Sequence, residues 1–405
     1  MGAAEAHGVR VGNSQQWRVS GRQWKDGTGM AETSGKGNGA KKASRFNINP
    51  RRLFSVSTLA GIPSNLAMLR KFMSSVNWKY AQEEIAGELR RKVAIIGLAN
   101  SGKSTLFNTL QGKYVSPVSP IEGTTTSNIR GNFGPFTLID TPGHIPEMQE
   151  EAIAEAAVVI YLLDAGEGMR PRDYQMVEQL GKMEKPFVVT LNKCDLIGDM
   201  ADEAAARAAA RLHVQDVIPI SARDGANVSE ELIPALINAS PEAAIILGRQ
   251  LPQFRREAAN KLVRSATLVS LAAGLEPIPL VDIPILLGNQ IRLVLRIAAV
   301  YGEPMTAQHM RELVMTIASG LLMRYVAEEA AKAMPFGGDL VAGAIAAAGT
   351  WAIGQVAIEY FESGKKLSRS QINESFKRFY RRYRETKQDE KLLPSPALPA
   401  ATPEA

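Results

Sequence analysis

The sequence predicts an α/β domain with a mostly parallel sheet and helices on both faces, followed by an all-α C-terminal domain. Two patterns support this prediction. Short apolar runs alternate with helical stretches in the first part of the chain, which is typical of βαβ units and their buried parallel strands. Beyond about Ser240 no further βαβ unit is predicted, and long segments rich in Ala, Leu, Ile and Val continue to about Phe379.

Five apolar runs have the length of buried strands, and two helices are predicted between them. The strands are predicted at Val93–Ile96, Phe136–Ile139, Val158–Leu163, Phe187–Leu191 and Val217–Ile220, and the helices at Glu147–Ala156 and Arg172–Met183. Ligands of open parallel sheets bind at the carboxyl ends of the strands. The loops that follow these five runs are therefore where we expect a functional site.

Changes in composition divide the chain into five segments. We expect a disordered basic segment at 1–52, because it is rich in Gly, Ser, Asn, Lys and Arg and has no sustained apolar period. A helical lead-in at 53–90, the α/β domain at 91–240, the helical domain at 241–385 and a disordered Pro/Ala-rich tail at 386–405 follow. The first segment lacks the apolar core of a secretory signal, and a transit peptide or a later start at Met30 is the alternative interpretation.

Cysteine content and charge narrow the class of protein. Cys194 is the sole cysteine, so no internal disulfide can form and a reducing, cytoplasmic compartment is expected. The net charge is +6, yet residues 91–240 carry 13 basic against 19 acidic side chains, so the positive charge lies in the flanks. Basic flanks favour a polyanionic partner, either a membrane surface or nucleic acid, and solvated arms are the alternative.

The segment Gly97–Ser104, which follows the first predicted strand, fits the pattern G-x-x-x-x-G-K-[ST]. A strand before it and a helix after it are the context of a phosphate-binding P-loop, whose backbone amides wrap the phosphates. Lys103 supplies positive charge for the β- and γ-phosphates, and the Ser104 hydroxyl is a Mg²⁺ ligand. The predicted binding residues are Gly97, Asn100, Ser101, Gly102, Lys103, Ser104 and Thr105.

A second element, Asp140-Thr141-Pro142-Gly143, follows the predicted strand Phe136–Ile139. An aspartate at this position can hold Mg²⁺ through water. The backbone N–H of Gly143 can bond to the γ-phosphate, so that this loop can sense hydrolysis.

Two later strand ends carry residues that fit a guanine base. Asn192-Lys193-Cys194-Asp195 follows the fourth run, and Ser221-Ala222-Arg223 follows the fifth. The Asp195 carboxylate can accept hydrogen bonds from N1 and N2 of guanine, and adenine has no matching donors. The second loop would bring a backbone amide to the guanine carbonyl. The sequence therefore predicts binding of GTP and GDP.

These four elements resemble those of the Ras-like P-loop GTPase superfamily, and they are most similar to its bacterial Era, Der and MnmE branch. The resemblance covers about a third of the chain and implies the P-loop GTPase fold and hydrolysis of GTP to GDP and phosphate. Gly123-Thr124-Thr125 looks like the switch I of this branch, which implies that Thr125 closes over Mg²⁺ and the γ-phosphate. The branch continues with Arg-Asp where this chain has Thr126-Ser127, so Thr126 is the alternative.

Two further roles are implied, one by this resemblance and one by a resemblance to translation elongation factors. Asn100 occupies the position that ligates a monovalent cation in potassium-activated members, so K⁺ is implied beside Mg²⁺, with an ordinary loop asparagine as the alternative. His144 makes the segment similar to the D-x-P-G-H of translation elongation factors, which implies that it orients the attacking water. Its alternative is an exposed loop histidine. The predicted catalytic residues are Lys103, Thr125 and His144, and the predicted metal ligands are Ser104, Thr125 and Asp140.

Two apolar segments of the helical half indicate association with a membrane. Leu340–Ile358 is an uncharged run of 19 residues, near the minimum that spans a bilayer, and a buried helix of a soluble bundle is its alternative. Ala266–Leu287 contains Glu276, Asp282 and three prolines. Because charges at the bilayer centre are costly, a re-entrant hairpin bent at these prolines is expected there instead of a straight span.

Basic residues flank both apolar segments. They form one cluster at Arg255, Arg256, Lys261 and Arg264, and a second at Lys365, Lys366 and Lys377 through Arg384, where Phe376, Phe379, Tyr380 and Tyr383 interleave. The second cluster fits an amphipathic anchor on anionic lipid. Alternatively, it fits a grip on RNA phosphates, with the aromatic residues packing the helix.

The segment from about Arg264 to Lys366 resembles the YcjF-like helical domain of bacterial membrane proteins. The residues that carry the resemblance are Pro277 to Pro284 and Phe336-Gly337-Gly338. We therefore expect a membrane-associated GTP switch in the cytoplasm, at the inner face of the cell membrane, whose partner is an anionic membrane surface or a membrane protein. Two alternatives stay open: a soluble RNA- or ribosome-associated assembly GTPase, and a GTP-binding scaffold with negligible turnover.

Overall fold

The computed structural model describes residues 74, 76–114, 129–139, 153–273, 282–317 and 339–392. All of them belong to one compact unit, which extends over Phe46–Ala405. Several predictions concern residues outside this described part: the segment 1–52, the switch I threonines, the loop from Asp140 to His144, the prolines between Pro277 and Pro279, and the end of the tail.

A six-stranded sheet forms the first half of the described chain. Its spatial order is β2-β3-β1-β4-β5-β6, and all neighbouring strands are parallel except β2 and β3, which pair antiparallel. The strands are β1 (Val93–Gly97), β2 (Ile129–Phe133), β3 (Phe136–Ile139), β4 (Val158–Asp164), β5 (Phe187–Asn192) and β6 (Val217–Pro219). The five predicted strands and the parallel arrangement are confirmed.

Strand β2 was not predicted from the sequence. Its residues, Ile-Arg-Gly-Asn-Phe, lack the apolar run of the other strands, and glycine and asparagine are rare in strands. It lies at the edge of the sheet and is joined to β3 by a tight turn at Gly134. An edge position of this kind does not require the continuous apolar run that a central parallel strand needs.

Helices cover both faces of the sheet. They are α1 (Trp78–Arg90) before β1, α2 (Lys103–Tyr114) after it, α3 (Pro171–Lys182), α4 (Ala201–Leu212) and α5 (Ile233–Ala239). Asn77 caps the amino end of α1, and its side chain accepts a hydrogen bond from the Tyr80 amide at 3.1 Å. Helix α3 lies where a helix was expected, and of the helix predicted at Glu147–Ala156 the described part contains residues 153–155, which are helical.

The second half of the described chain is entirely helical, as predicted. Its helices are α6 (Pro241–Gln250), α7 (Arg255–Ala273), α8 (Asp282–Val300), α9 (Asp339–Glu362) and α10 (Arg369–Leu392), with a further helical stretch at 307–317. Helix α9 packs against α7, α8 and α10. Within the described residues, no helix is both long and apolar enough to cross a membrane.

One hydrophobic core connects the sheet with the helical half. Alternate residues of β1 face opposite sides: Val93 and Ile95 belong to one core, and Ala94 and Ile96 to the other. The first core continues without a break into the helical half, where Val263 and Leu293 belong to it. The second core lies under α3 and α4. A movement on the face of the sheet that carries Val93 and Ile95 would therefore change the packing of the helical half.

Candidate nucleotide-binding site

The P-loop joins the end of β1 to the start of α2, as the motif predicts. Lys103 folds back across the loop, and its Nζ donates hydrogen bonds to the carbonyl oxygens of Gly97, at 2.9 Å, and Leu98, at 3.0 Å. Asn100 is exposed and has a φ of 65°, a left-handed conformation that asparagine tolerates better than most residues. The loop thus has the local conformation of a phosphate-binding loop, and two hydrogen bonds hold the Lys103 side chain across its turn.

Asn192 ties the P-loop to the loop at the end of β6. It is 2% exposed, its Nδ2 donates to the Ser101 carbonyl oxygen at 2.7 Å, and its Oδ1 accepts from the Ala222 amide at 2.9 Å. Gly102 packs so closely here that a Cβ at this position would collide with the Asn192 amide group. The phosphate-binding and base-binding halves of the site are therefore held in one arrangement by a single buried side chain.

Lys193 has a left-handed backbone, with a φ of 68°, which turns its side chain back toward the end of β4. Its Nζ lies 2.6 Å from Oδ2 of Asp164, which is 1% exposed. The other oxygen of Asp164 accepts from the Gly166 amide at 2.9 Å. A charged, fully hydrogen-bonded pair of this kind fixes the lysine along the base-binding edge.

Asp195 is exposed at the base-binding edge, as a residue that reads a guanine base must be. The Ser221 hydroxyl lies 3.0 Å from Oδ1 of Asp195 and 2.9 Å from Oδ2 of Asp224, and it donates its one proton to either. An antiparallel bridge between Ser221 and Ala226 closes the loop. The carboxylate of Asp195 is thereby oriented while its second oxygen remains available for a base.

Ala222 is buried and its amide donates to the Asn192 side chain, whereas Arg223 is exposed. The Ala222 carbonyl oxygen accepts from the hydroxyl of Thr109 on α2 at 2.6 Å. This bond links the base-binding loop directly to the helix that begins in the P-loop.

Of the predicted Mg²⁺ ligands, only Ser104 of the P-loop lies among the described residues. Ser104 is exposed in the first turn of α2, so its hydroxyl is accessible to a hard cation beside the phosphates. Asp140, Gly143 and His144 and the threonines Thr125 and Thr126 lie outside the described residues. Among the described residues no cluster of three acidic, histidine or cysteine side chains could hold a metal. Mg²⁺, when bound, would neutralise phosphate charge.

Sequence reasoning missed three residues of the site: Asp164, Thr109 and Arg170. Asp164 is the last residue of β4 and lies at the carboxyl end of a parallel strand, so the rule that found Asp140 and Asn192 also applies to it. Thr109 and Arg170 carry no comparable signal, because each enters the site through a tertiary contact and not through a motif.

Comparisons with known proteins agree with this arrangement. A family model described as 50S ribosome-binding GTPase matches residues 92–193, and one described as a domain of unknown function (DUF697) matches residues 242–385. GTPase Era of Aquifex aeolicus (strain VF5) is 31% identical over 220 residues, which cover 46% of this chain and 72% of the relative.

Further relatives match over the nucleotide-binding half. GTPase Der of Geotalea uraniireducens (strain Rf4) is 34% identical over 171 residues, and the match covers 38% of this chain and 38% of the relative's length. Among solved structures, the FeoB G-domain from Methanococcus jannaschii is 26% identical, with a TM-score of 0.26, and the match covers 37% of this chain and 97% of that chain.

The fold and the site together define a P-loop GTPase: a mostly parallel sheet, a P-loop after β1 and, at the ends of β5 and β6, the loops predicted to bind guanine. The chain belongs to the Era/Der-like family of P-loop GTPases, and its C-terminal half carries the DUF697 (YcjF-like) helical domain. It binds GTP and GDP and hydrolyses GTP to GDP and phosphate.

Proposed function

We propose that this GTPase is a molecular switch that works at an anionic membrane surface, with its helical half as the part that contacts lipid. The observation that carries the proposal is an apolar end of the helical half. Leu268, Val269 and Ile285 are 65%, 52% and 51% exposed there, although each is a large aliphatic side chain. An exposed apolar patch of this kind is a common mark of an interaction site.

Three helix ends meet at this apolar end. Helix α7 finishes at Ala273 and α8 starts at Asp282, and Leu286 of α8 packs with Ala346 of α9 in a small separate core that Ala273 also contacts. Leu268, Val269 and Ile285 are therefore presented by neighbouring helices at one end of the bundle. We call this surface the apolar end.

A row of basic residues approaches the apolar end along α10. Trp351 of α9 contacts the rings of Phe379, edge-on at 5.8 Å, and Tyr383, tilted at 5.4 Å. Arg378, earlier on α10, pairs at 2.7 Å with Glu359, later on α9, so the two helices run side by side in opposite directions. Trp351 is six residues from Ile345, which is about 9 Å along a helix. The basic row consists of the exposed residues Lys377, Arg381, Arg382 and Arg384.

The aromatic residues of α10 thus pack inside the helical half, and its basic residues face solvent. By contrast, three members of the first basic cluster have internal partners: Arg256 lies 3.3 Å from Glu362, Lys261 donates to the Asn238 carbonyl oxygen, and Arg264 donates to the Asn238 side chain. The basic row is therefore the better candidate for anionic headgroups, each Lys or Arg near such a surface contributing about 1 kcal/mol.

Buried ion pairs join α1, the helix before β1, to α8 of the helical half. Glu88 of α1 is 6% exposed and accepts hydrogen bonds from Arg292, at 2.8 Å, and from Arg296, both on α8. Arg292 also lies 2.6 Å from Glu84. Helix α1 leads into β1 and hence into the P-loop, so this ion-pair joint supports transmission between nucleotide state and the helical half.

The proposal is tested by sedimentation of the full chain with liposomes. Replacing Leu268 and Val269 with glutamate should reduce binding to vesicles of phosphatidylserine and phosphatidylcholine at least tenfold. Met200→Glu is the matched control, because Met200 is 58% exposed but lies in the nucleotide-binding half. Equal binding by the double variant and the control, or no binding by the parent chain, would contradict a lipid-facing apolar end.

A second candidate is an RNA- or ribosome-associated GTPase, favoured by the basic row and by the family model described as 50S ribosome-binding GTPase. Phosphate contacts make RNA binding fall steeply with salt, and replacing Arg381 and Arg382 with alanine would reduce that salt dependence. RNA binding that survives the glutamate variants of the apolar end and fails with these alanine variants would favour this candidate over the membrane.

A further inference from the structure

Arg170 brings a second cationic side chain to the P-loop. It precedes α3 and is 71 residues from Ala99 in sequence, yet its Nη1 donates to the Ala99 carbonyl oxygen at 3.4 Å. Ala99 is the third residue of the P-loop and is exposed. The other positive charge of the loop is the ammonium group of Lys103, so the guanidinium of Arg170 adds to the positive potential at the place where phosphates bind.

A buried carboxylate holds the backbone and the inner end of the Arg170 side chain in place. The Arg170 backbone amide donates to Oδ2 of Asp173 at 2.7 Å, and the same oxygen lies 3.6 Å from its Nε. Asp173 is 1% exposed, and its other oxygen accepts from the Tyr161 hydroxyl at 2.7 Å. Burial and the charge of Asp173 raise the pKa of Tyr161, so the hydroxyl stays a donor. The arginine is thus anchored to the core of the α/β domain.

The guanidinium is only partly satisfied: Nη1 makes hydrogen bonds, whereas the buried Nε makes none among the described residues. Nη1 makes its shortest hydrogen bond to Glu167, at 2.7 Å, and Glu167 is an exposed residue whose ion pairs are worth little in water. Nη2 is buried and has no hydrogen-bond partner among the described residues. A buried donor without a partner is costly, which indicates that a partner arrives in another state of the protein.

We infer that Arg170 is a built-in arginine of the hydrolysis site, whose Nη2 donates to a γ-phosphate oxygen when GTP is bound. The bond from Nη1 to Ala99 is long and therefore weak, so losing it while Nη2 gains a charge-assisted bond to phosphate is favourable. The exposed Glu167 can release Nη1 at little cost. None of the four nucleotide-binding elements includes Arg170. Its role is therefore inferred from its contacts in the folded chain and not from a sequence motif.

The expected chemistry is stabilisation of charge. During hydrolysis the water oxygen bonds to the γ-phosphorus, the bond from that phosphorus to the β–γ bridging oxygen breaks, and GDP leaves with the electron pair. The proton of the water passes to the phosphate that is released. Negative charge spreads over the γ-phosphate oxygens in the transition state, and an arginine supplied in cis or in trans stabilises that charge.

Single-turnover hydrolysis by the full chain tests this role. Arg170→Gln keeps a hydrogen-bond donor at the position but removes the charge, and it should lower the hydrolysis rate about 100-fold or more while changing GDP affinity less than threefold. Arg170→Lys should recover only part of the rate, because a lysine lacks the forked donor. Arg172→Gln, an exposed arginine on the first turn of α3, is the matched control.

A second readout separates this role from support of the P-loop. GDP with aluminium fluoride mimics the transition state, and Arg170→Gln should weaken that complex about as much as it slows hydrolysis. An unchanged hydrolysis rate would overturn the inference. Parallel losses of GDP, GTP and aluminium fluoride affinity, with the rate at saturation unchanged, would also overturn it, since Arg170 would then only hold the loop.

Discussion

At the scale of single residues, Asn192 connects the two halves of the nucleotide site. Replacing it with alanine removes both of its hydrogen bonds and leaves the Ser101 carbonyl oxygen and the Ala222 amide without these partners. Each buried group left unpaired costs about 1–3 kcal/mol. We therefore expect Asn192→Ala to weaken GDP binding at least tenfold. Titration with a fluorescent GDP analogue measures this, and Asn238→Ala, outside the site, is the control; equal affinities would contradict the bridging role.

Cys194 offers a chemical probe of the base-binding loop. Burial raises the pKa of the Cys194 thiol to about 11, with the nearby carboxylates of Asp195 and Asp202 adding to the rise. At pH 8 only about 0.1% of the thiol would be thiolate, which is the reactive form. The sole cysteine should therefore react with iodoacetamide at least tenfold more slowly than the cysteine of a short unstructured peptide. Peptide-like reactivity in the folded chain would contradict this environment.

At the scale of elements, the joint between α1 and α8 depends on a charged carboxylate. Burial alone would raise the pKa of Glu88, but its bonds to Arg296 and Arg292 hold it below the ordinary value. Removing one member of a buried ion pair costs about 3–5 kcal/mol, so Glu88→Gln should destabilise the chain at neutral pH by roughly that amount. Glu83→Gln, on the exposed face of α1, should have little effect.

The pH dependence of this joint has a definite sign. Because the folded pKa of Glu88 lies below the unfolded one, its stabilising contribution is complete above about pH 4.3 and is lost as pH falls through the folded pKa. Urea midpoints of the parent chain and Glu88→Gln should therefore differ by a constant amount above about pH 4.3 and converge as pH falls below it. A difference that stays constant below that pH would show that the carboxylate charge does not stabilise the joint.

Close packing of α9 against α7 depends on Gly354. This glycine is buried, and a Cβ at its position would collide with the Val263 side chain and approach Leu293. Gly354→Ala should therefore destabilise the helical half by about 1–3 kcal/mol through overpacking. Gly181→Ala is the matched control, because a Cβ there meets nothing and alanine is the better helix former. Thermal unfolding compares the two, and stabilisation by both changes would contradict the tight packing.

The parts of these elements that the sequence could predict are those with a local signal. The central strands are continuous apolar runs, and the nucleotide-binding residues follow them at fixed spacing, so both can be recognised without knowledge of the fold. The edge strand β2 and the joint at Glu88 have no such signal, and the strand-end position of Asp164 does not reveal its pairing with Lys193. Each depends on residues that are distant in sequence and become neighbours only in the folded chain.

At the scale of the whole molecule, one core extends from the sheet into the helical half, and the ion-pair joint reinforces the contact. Ser240 adds a further link, since its hydroxyl caps α6 and donates to the Ala157 carbonyl oxygen at 3.0 Å. The helical half therefore packs firmly against the α/β domain. A change in the nucleotide state has a packed route to the apolar end and the basic row, which is what a switch at a membrane needs.

The measurement that tests this account most directly is GTP turnover by the full chain in potassium buffer, with and without anionic liposomes. If the helical half reports the nucleotide state to a membrane, lipid binding must in turn affect the GTPase site, because coupling between two sites is reciprocal for binding. We predict that anionic liposomes stimulate turnover at least threefold, and that replacing Leu268 and Val269 with glutamate abolishes the stimulation. Turnover that is the same with and without liposomes would contradict the membrane switch and favour the RNA- or ribosome-associated candidate.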